Sequence, residues 1–567
     1  MKNFKTFLIL FLIAGVSFYA CDGKESSLVS DRIDDNPLPP GPQPATGTQG
    51  NADFTKYVAI GNSLTAGFMD AALYNQGQQN SLGALLAAQM KIAVESDDEV
   101  FDDFDQPDIN SVDGFNTSAQ SPNFPNEVYG RFKLDLVAQA PSPVITGETI
   151  GAFSGDKAAL NNFGVPGIQV GQMLTPATGG PNSQANPAFN SFYARMASNP
   201  SQDGTTGSTI IGDVLASQPT FFTLWIGNND VLGYAISGAS NEAIFTSEAD
   251  FQTRFNAVMS NLANNTTAKG IVATIPPVLT IPFFRAISYD RIELDAATAG
   301  QLNTGLEPVN DAFQALVDNL GHSQADADAR KVTYAAGNNP ILVIDEELED
   351  LGPKFDQLQG AGAIDAQQRA ALVPYEQSRP LTEGELVLLS AGSVINTPFG
   401  GDANKPVGIV IPLGFNADAS LSGDQYYLTL AEQATILDRT TAFNTTIATE
   451  VLTANGGAAA PNAQFALFDV NAGLPGNPNT TIGAFADLLG LDGELGIRVD
   501  GRLLSPDFGP NGIYSTDGVH PNIRGNAILA NEFIKVMETS FGATLPKVDV
   551  IALPSVFGCA GDCVSQQ

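Results

Sequence analysis

The most informative stretch of the sequence is Tyr57-Val58-Ala59-Ile60-Gly61-Asn62-Ser63-Leu64-Thr65-Ala66-Gly67. Its first residues predict a short apolar strand, and Gly61 permits a tight turn after that strand. The small residues behind Ser63 let a helix begin close by. A hydroxyl that follows a buried strand in this way lies where a sheet exposes reactive groups. Ser63 is therefore a candidate nucleophile, although Gly-Asn-Ser-Leu also occurs in loops without such a role.

Short β-branched or aromatic runs alternate with amphipathic segments from Phe54 onward, as expected when strands are buried under helices on both faces. The predicted strands span 57–61, 159–163, 219–227, 270–276 and 463–470. The predicted helices span 81–91, 168–174, 248–264, 300–319, 427–455, 480–489 and 522–540. This alternation predicts an α/β fold with a mainly parallel sheet.

Two expansions interrupt the predicted domain. Residues 282–426, between the fourth and fifth strands, exceed what one crossover requires, so we expect either a lid or substrate-shaping subdomain or a passive decoration. Residues 92–158 contain the carboxylate-rich runs 95–99 and 102–105. Such runs can bind calcium, but they lack the spacing of an EF-hand loop, which favours a solvated acidic loop.

One of the chain's two histidines, His520, lies in Asp517-Gly518-Val519-His520-Pro521. A carboxylate three residues before a histidine on a loop can hydrogen-bond the ring and fix its tautomer. Many loop histidines are only structural or exposed, so this pair needs support from other motifs. The second histidine, His322, follows a predicted helix, and we expect it to face solvent at the C-terminal end of that helix.

Two further motifs supply candidate donors for an oxyanion. Gly167 ends Asn161-Asn162-Phe163-Gly164-Val165-Pro166-Gly167, and a glycine N–H can approach a ligand closely. Asn229 lies in Gly227-Asn228-Asn229-Asp230 after an apolar strand, and its amide can donate without changing its protonation state. Each motif also has an ordinary interpretation, as a turn and as a helix N-cap.

As a set and in this order, the four motifs resemble the SGNH or GDSL hydrolase family, whose blocks are named after Ser, Gly, Asn and His. The matching residues are Ser63 in block I, Gly167 in block II, Asn229 in block III, and Asp517 with His520 in block V. One departure is visible, because Asn62 replaces the aspartate of Gly-Asp-Ser-Leu. That aspartate is neither the nucleophile nor the base of the family.

The resemblance implies a flavodoxin-like three-layer α/β/α sandwich with about five parallel strands, formed by residues 54–545 with the two insertions. It implies a lipase or esterase that cleaves carboxylic esters without a metal or cofactor. Ser63, His520 and Asp517 would form the catalytic triad. The N–H groups of Ser63 and Gly167 and the side chain of Asn229 would form the oxyanion hole.

Two alternatives to a lipase or esterase stay open. A polysaccharide acetyl-esterase would use the same residues, and a surface lipoprotein that binds glycan or lipid would not catalyse at all. An ordinary α/β-hydrolase is disfavoured, because Ser63 has no Gly-x-Ser-x-Gly elbow and lies near the N-terminus of the chain.

The N-terminus predicts export. Lys2 and Lys5 precede an apolar run, 7–18, that is short for a membrane span but suits a signal peptide, which we place at 1–21. Cleavage before Cys21 resembles bacterial lipoprotein processing and predicts a lipid anchor in a bacterial membrane, at the outer membrane or cell surface. An unlipidated signal peptide is the alternative.

The two ends of the predicted domain differ in composition from its centre. Residues 22–53 are rich in Pro and Gly and predict a disordered tether. Residues 546–567 form a C-terminal tail with Cys559 and Cys563, an even pair that predicts a small disulfide in an oxidising compartment. Metal binding by two thiols alone is the weaker interpretation.

The charge of the chain limits its partners. With 61 acidic and 26 basic residues the formal net charge is −35, which repels phosphate backbones and argues against nucleic acid. The hydrophobic content of 43% suffices for a sizeable core. We therefore expect an ester substrate, lipid or acylated carbohydrate, and a membrane reached through the lipid anchor.

Overall fold

The computed structural model describes residues 45–115, 130–137, 140–143, 147–416, 425–457, 463–471, 496–556 and 558–559. The chain divides into a unit of residues 1–46 and a second unit that begins at Gly47. All elements below belong to the second unit.

The central sheet has five strands, all parallel. They are β1 (Tyr57–Gly61), β2 (Asn162–Gly164), β3 (Phe221–Trp225), β4 (Lys269–Ala273) and β5 (Phe465–Phe468). Their order is β5-β4-β3-β1-β2, which is the flavodoxin-like order 2-1-3-4-5 read from the other edge. The predicted five-stranded parallel sheet is confirmed. Successive strands are added in opposite directions from β1, toward β2 on one side and toward β3 on the other, and ligands of such sheets bind outside the carboxyl ends of the strands at this switch point.

The strands are buried on both faces, because successive side chains point in opposite directions. In β1, Val58 and Ile60 pack into one hydrophobic core, whereas Tyr57 and Ala59 pack into the other. A helix pair covers each face, so the molecule has the three layers that the sequence predicts.

The α-helices in the described ranges are α1 (Ser63–Ala66), α2 (Asn75–Gln79), α3 (Leu82–Ser96), α4 (Ser191–Ala194), α5 (Ile210–Ala216), α6 (Asn229–Ile236), α7 (Glu248–Asn265), α8 (Pro282–Arg285), α9 (Ala296–Leu320), α10 (Gln324–Arg330), α11 (Gly352–Gly360), α12 (Ala366–Ala371), α13 (Leu430–Ala454) and α14 (Ile523–Phe541). Helices α7 and α13 contribute to the first core, and α3 and α14 contribute to the second. None of these helices is both long and apolar enough to cross a membrane.

Short strands outside the central sheet form small pairs and one triplet. The pairs are Ile292–Leu294 with Gly337–Asn339, Leu342–Ile344 with Ser378–Pro380, Leu386–Val387 with Tyr427–Leu428, and Ile497–Val499 with Arg502–Leu504; the triplet joins Phe132–Asp135 to Ala140–Pro143 and Gly558–Cys559.

Most predicted elements are present with shifted ends. The strand predicted at 159–163 begins at Asn162, because Asp156 caps a 3-10 turn at Lys157–Ala159 by accepting the N–H of Ala158 at 2.9 Å. The segment predicted as a helix over 168–174 is the 3-10 helix Val170–Leu174. The helix predicted at 480–489 lies outside the described residues.

The larger insertion has a hydrophobic core of its own. Buried side chains between Ile287 and Tyr427 form one cluster that is separate from both cores of the sheet. Within the insertion, Arg379 contacts Asp345 and Glu385 at 2.6 Å each, and all three side chains are largely buried. Asp345, the first residue of an acidic run, is therefore part of a buried ion pair.

The prediction that His322 faces solvent is wrong. Its side chain is 4% exposed because α10 and α11 pack around it. Nε2 lies 2.6 Å from an Asp326 carboxylate oxygen, and Nδ1 lies 3.0 Å from Nζ of Lys354. His322 is thus a structural residue of the insertion.

The acidic segments of residues 92–158 form ion pairs with nearby lysines. Asp102 lies 3.2 Å from Lys56, and Asp103 lies 3.7 Å from Lys91. Among the residues that the structure describes, no group of three or more His, Cys, Asp or Glu side chains is arranged to hold a metal ion.

Both ends of the predicted domain extend further than the sequence indicates. Thr48 and Thr544 exchange backbone hydrogen bonds of 2.9 Å, so the folded unit begins at Gly47 and not at Phe54. In the predicted tail, Gly558–Cys559 pairs with Phe132–Asp135. Cys559 is disulfide-bonded, and Cys563 lies outside the described residues.

Candidate active site

The four sequence motifs meet at the carboxyl edge of the sheet. Ser63 follows β1, Gly167 follows β2, Asn229 follows β3, and His520 lies just before α14. All four line one cavity. Because β1 and β3 are neighbours in the sheet, this cavity lies at the switch point where the strand order reverses.

Ser63 is the first residue of α1, and its exposed fraction is 8%. Asn62 caps this helix, with its side-chain oxygen accepting the N–H of Leu64 at 3.1 Å. Asparagine and aspartate cap helices about equally well. The replacement of the motif's aspartate by Asn62 therefore keeps the turn that presents Ser63.

Close backbone packing fixes the position of α1. Gly164, the last residue of β2, lies so near this helix that an added Cβ would be 2.3 Å from the backbone nitrogen of Ala66. No side chain fits there without moving the backbone. Helix α1, which begins at Ser63, is therefore held against β2 by a contact that only glycine permits.

Asp517 and His520 form a hydrogen-bonded pair. An Asp517 carboxylate oxygen lies 2.8 Å from Nδ1 of His520, and the backbone N–H groups of Val519 and His520 donate to the other oxygen at 2.8 and 2.9 Å. Donation of the Nδ1 proton to Asp517 leaves Nε2 as a proton acceptor. The pair thus has the geometry of a base and the group that orients it.

The electrostatics of Asp517 keep it ionised. Burial alone would raise its pKa, but attraction to His520 and hydrogen bonds from His520 and from the Ala71 N–H outweigh burial and lower the pKa to about 2. The carboxylate therefore stays charged throughout the pH range in which a histidine changes protonation.

This depressed pKa predicts a pH-dependent contribution to stability. The folded state binds fewer protons at Asp517 than the unfolded state, so the stabilisation is present above about pH 4 and is lost as the pH falls toward 2. We expect wild type to lose roughly 2 kcal/mol relative to Asp517→Asn across this window. Denaturant unfolding of both proteins at several pH values between about 5 and 2 measures the difference. A difference that is constant with pH would contradict the prediction.

The candidate oxyanion donors differ in how they are held. Gly167 has φ +80°, a left-handed conformation that favours glycine, and it is exposed to the cavity. Asn229 donates one amide hydrogen to the carbonyl oxygen of Ile168 at 2.8 Å. An amide has two hydrogens, so one remains available to a ligand. Helix α6 does begin at Asn229, but the preceding residue, Asn228, makes no side-chain capping bond.

Asp230 links the segment that carries Gly167 to the segment that carries Asn229. This role was not recognised from the sequence. Its side chain is fully buried and accepts the N–H of Val170 at 3.0 Å and the hydroxyl of Thr246 at 2.8 Å. Burial raises its pKa to about 6 in spite of these bonds. Its position as the last residue of the motif Gly227-Asn228-Asn229-Asp230 was the available signal. It fixes the Gly167 loop relative to α6.

A second cavity shares Ser63, Asn229 and His520 with the first. Its walls are mostly apolar and include Trp225, Leu232, Val278, Ile281, Ile528 and Leu529. Val278 and Ile281 belong to the segment that leads from β4 into the larger insertion. The site therefore has two compartments that meet at Ser63, one of them suited to an apolar group.

Comparison with known families agrees with this geometry. A family model described as GDSL-like Lipase/Acylhydrolase matches residues 57–350, slightly more than half of the chain. The match includes Ser63, Gly167 and Asn229 and ends before Asp517 and His520. No curated protein and no solved structure shows significant similarity. The matched span, with the five-stranded parallel sheet it contributes to, establishes that the chain belongs to the GDSL-like lipase/acylhydrolase family.

Proposed function

We propose that this protein hydrolyses carboxylic esters through a triad of Ser63, His520 and Asp517. The observation that supports the proposal is the single cavity lined by Ser63, Gly167, Asn229 and His520, together with the 2.8 Å contact between His520 and Asp517. A hydroxyl, a base, a group that orients the base and oxyanion donors are what acyl transfer to serine requires.

In the proposed mechanism, the hydroxyl oxygen of Ser63 bonds to the ester carbonyl carbon while Nε2 of His520 takes the hydroxyl proton. The N–H groups of Ser63 and Gly167 and the Asn229 amide hold the tetrahedral anion. Collapse of the anion breaks the bond to the alcohol oxygen, which takes the proton from His520. Water, deprotonated by His520, then releases the acid and restores Ser63.

Covalent labelling with a fluorophosphonate probe tests this proposal. We expect wild type to gain the probe mass on the peptide that contains Ser63, and Ser63→Ala to gain none. Ser240→Ala, at an exposed serine outside both cavities, is the matched control and should label like wild type. Well-folded wild type that does not label would favour a protein that binds glycan or lipid without catalysis.

The apolar compartment favours substrates whose acyl group is longer than acetyl. Each buried methylene contributes up to about 0.8 kcal/mol, so kcat/KM should rise with chain length until the compartment is full. Ile281 is only partly buried, and Ile281→Trp should fill this space. We expect that variant to lower kcat/KM about tenfold or more for octanoyl esters and to leave acetyl esters nearly unchanged. A wild-type preference for acetyl esters would instead favour polysaccharide deacetylation.

We further propose that the protein is exported and anchored to a bacterial membrane, at the outer membrane or cell surface, by acylation of Cys21. The support is the sequence alone, since residues 1–44 lie outside the described part of the structure. Two or more acyl chains give durable attachment. Labelling with palmitate in the native host should disappear in Cys21→Ala, and equal labelling of that variant would exclude this anchor.

A further inference from the structure

The segment directly after the nucleophile helix holds the loop that carries Asp517 and His520. Met69 and Ala72 exchange backbone hydrogen bonds of 3.1 and 3.0 Å and close a tight turn. Within this turn, Ala71 donates its N–H at 2.9 Å to the Asp517 oxygen that also contacts His520. The turn therefore supplies a hydrogen bond to the carboxylate of the proposed triad.

Asp70 is the side chain that joins this turn to the loop that carries Asp517 and His520, here called the acid loop. It is 2% exposed, and one of its oxygens accepts both the N–H of Thr516 at 3.0 Å and the hydroxyl of Thr516 at 2.8 Å. Its other oxygen accepts the hydroxyl of Tyr74 at 2.8 Å. Each oxygen of this buried carboxylate thus has a donor, and one oxygen binds the residue next to Asp517.

A second connection runs through Ser515. The backbone N–H of Asp70 donates to the Ser515 hydroxyl oxygen at 3.0 Å, and that hydroxyl donates to Asp517 at 2.8 Å. Asp517 is therefore reached from the turn in two ways, directly from Ala71 and through Ser515.

The turn adopts a conformation that is unfavourable for its residues. Asp70 has φ +54° and Ala71 has φ +60°, although neither is glycine. Such conformations cost on the order of 1 kcal/mol or more per residue and persist where surrounding contacts impose them. Here the left-handed turn directs the Ala71 N–H to Asp517, so the contacts of Asp70 with Thr516 hold the turn in the geometry that the site uses.

We propose that Asp70 is a positioning residue of this esterase, which fixes the acid loop and the Ala71 N–H so that Asp517 and His520 are aligned with Ser63. The inference rests on the proposed function. Asp70 does not line either cavity and acts through Thr516 and Asp517. Asp517 contacts His520 directly, and Asp70 is a second aspartate that acts on Asp517. No sequence motif indicates this role.

Asp70 lies among polar and titratable groups. The charged or titratable groups around it are Tyr74, Asp517 and, across the Tyr74 ring at 4.7 Å, Arg131. Burial and, to a lesser degree, Asp517 raise the pKa of Asp70 above its ordinary value. A positioning role should appear as a loss of kcat in a variant that still folds, whereas a packing role would affect stability alone.

The test compares Asp70→Asn with wild type. The amide keeps the size of the side chain and can still accept from Thr516. We expect kcat to fall about tenfold to a hundredfold with little change in KM. The matched control is Asp213→Asn, since Asp213 is also a buried carboxylate that accepts a tyrosine and a serine hydroxyl, at 2.9 and 2.5 Å, away from the site. This control should lose stability but keep kcat.

If Asp70→Asn does not fold, Thr516→Val is the second test variant. Valine is nearly equal in size to threonine, so this variant keeps Asp70 and removes only the hydroxyl that donates to it. It should lower kcat with unchanged KM. Wild-type kcat in whichever variant folds would overturn the proposal. Failure of the proposed function is a separate result, seen as the absence of fluorophosphonate labelling in wild type.

Discussion

Replacement of Ser63 by alanine should lower kcat for ester hydrolysis by about 10⁴-fold or more, because no other group can accept the acyl chain. His520→Ala should cost nearly as much, since the hydroxyl is a weak nucleophile without a base. Initial rates on a chromogenic short-chain ester, with each variant purified in parallel, measure both losses. Circular dichroism should show that both variants retain the fold, as neither side chain is part of a hydrophobic core.

The double variant Ser63→Ala with His520→Ala provides the control for that prediction. Residues that act as one unit have non-additive effects, so the double variant should be about as slow as either single variant. Losses that multiply would mean that Ser63 and His520 act independently. Ser63→Ala with wild-type activity would exclude Ser63 as the nucleophile, and the cavity would then need another assignment.

Gly164→Ala should cause the largest loss of stability. An added Cβ would lie 2.3 Å from the backbone nitrogen of Ala66 and 2.7 Å from its Cα, and these atoms cannot rotate away. We expect a loss of about 3 kcal/mol or more in the free energy of unfolding, or no soluble protein at all. Thermal unfolding and the yield of soluble protein measure the effect.

Gly167→Ala is the matched control, because the same added methyl group meets no atom within 4 Å. Its cost should be limited to the left-handed φ of +80°, about 1–2 kcal/mol. The variant should fold and bind substrate but turn over more slowly, since strain at this residue displaces an oxyanion donor. Equal destabilisation by both substitutions would contradict the proposed contact between β2 and α1.

The fold was predictable from the sequence because its strands are apolar on both faces and end in recognisable motifs. β1 and β3 are continuous buried runs, and their predicted bounds are within two residues of the observed ones at each end. β2 is only three residues long, so the capping of a preceding turn by Asp156 decided where it begins. Short strands of this kind carry too few residues for a pattern to fix their ends.

The site was predictable only where motifs carry the chemistry. Ser63, Gly167, Asn229 and His520 line one cavity, as their order along the chain predicts. Asp70 and Asp230 were missed because their partners, Thr516 and Val170, are distant in sequence or contribute only a backbone N–H. Burial of His322 likewise depends on how α10 and α11 pack, which no local pattern reports.

Helix α14 runs from the candidate site toward the N-terminal edge of the folded unit. The helix begins beside His520 and ends at Phe541, whose carbonyl oxygen accepts the N–H of Asn51 at 2.7 Å. Nineteen residues at 1.5 Å each span about 28 Å. Asn51, near the start of the folded unit, and the loop that carries Asp517 and His520 therefore lie at opposite ends of one helix.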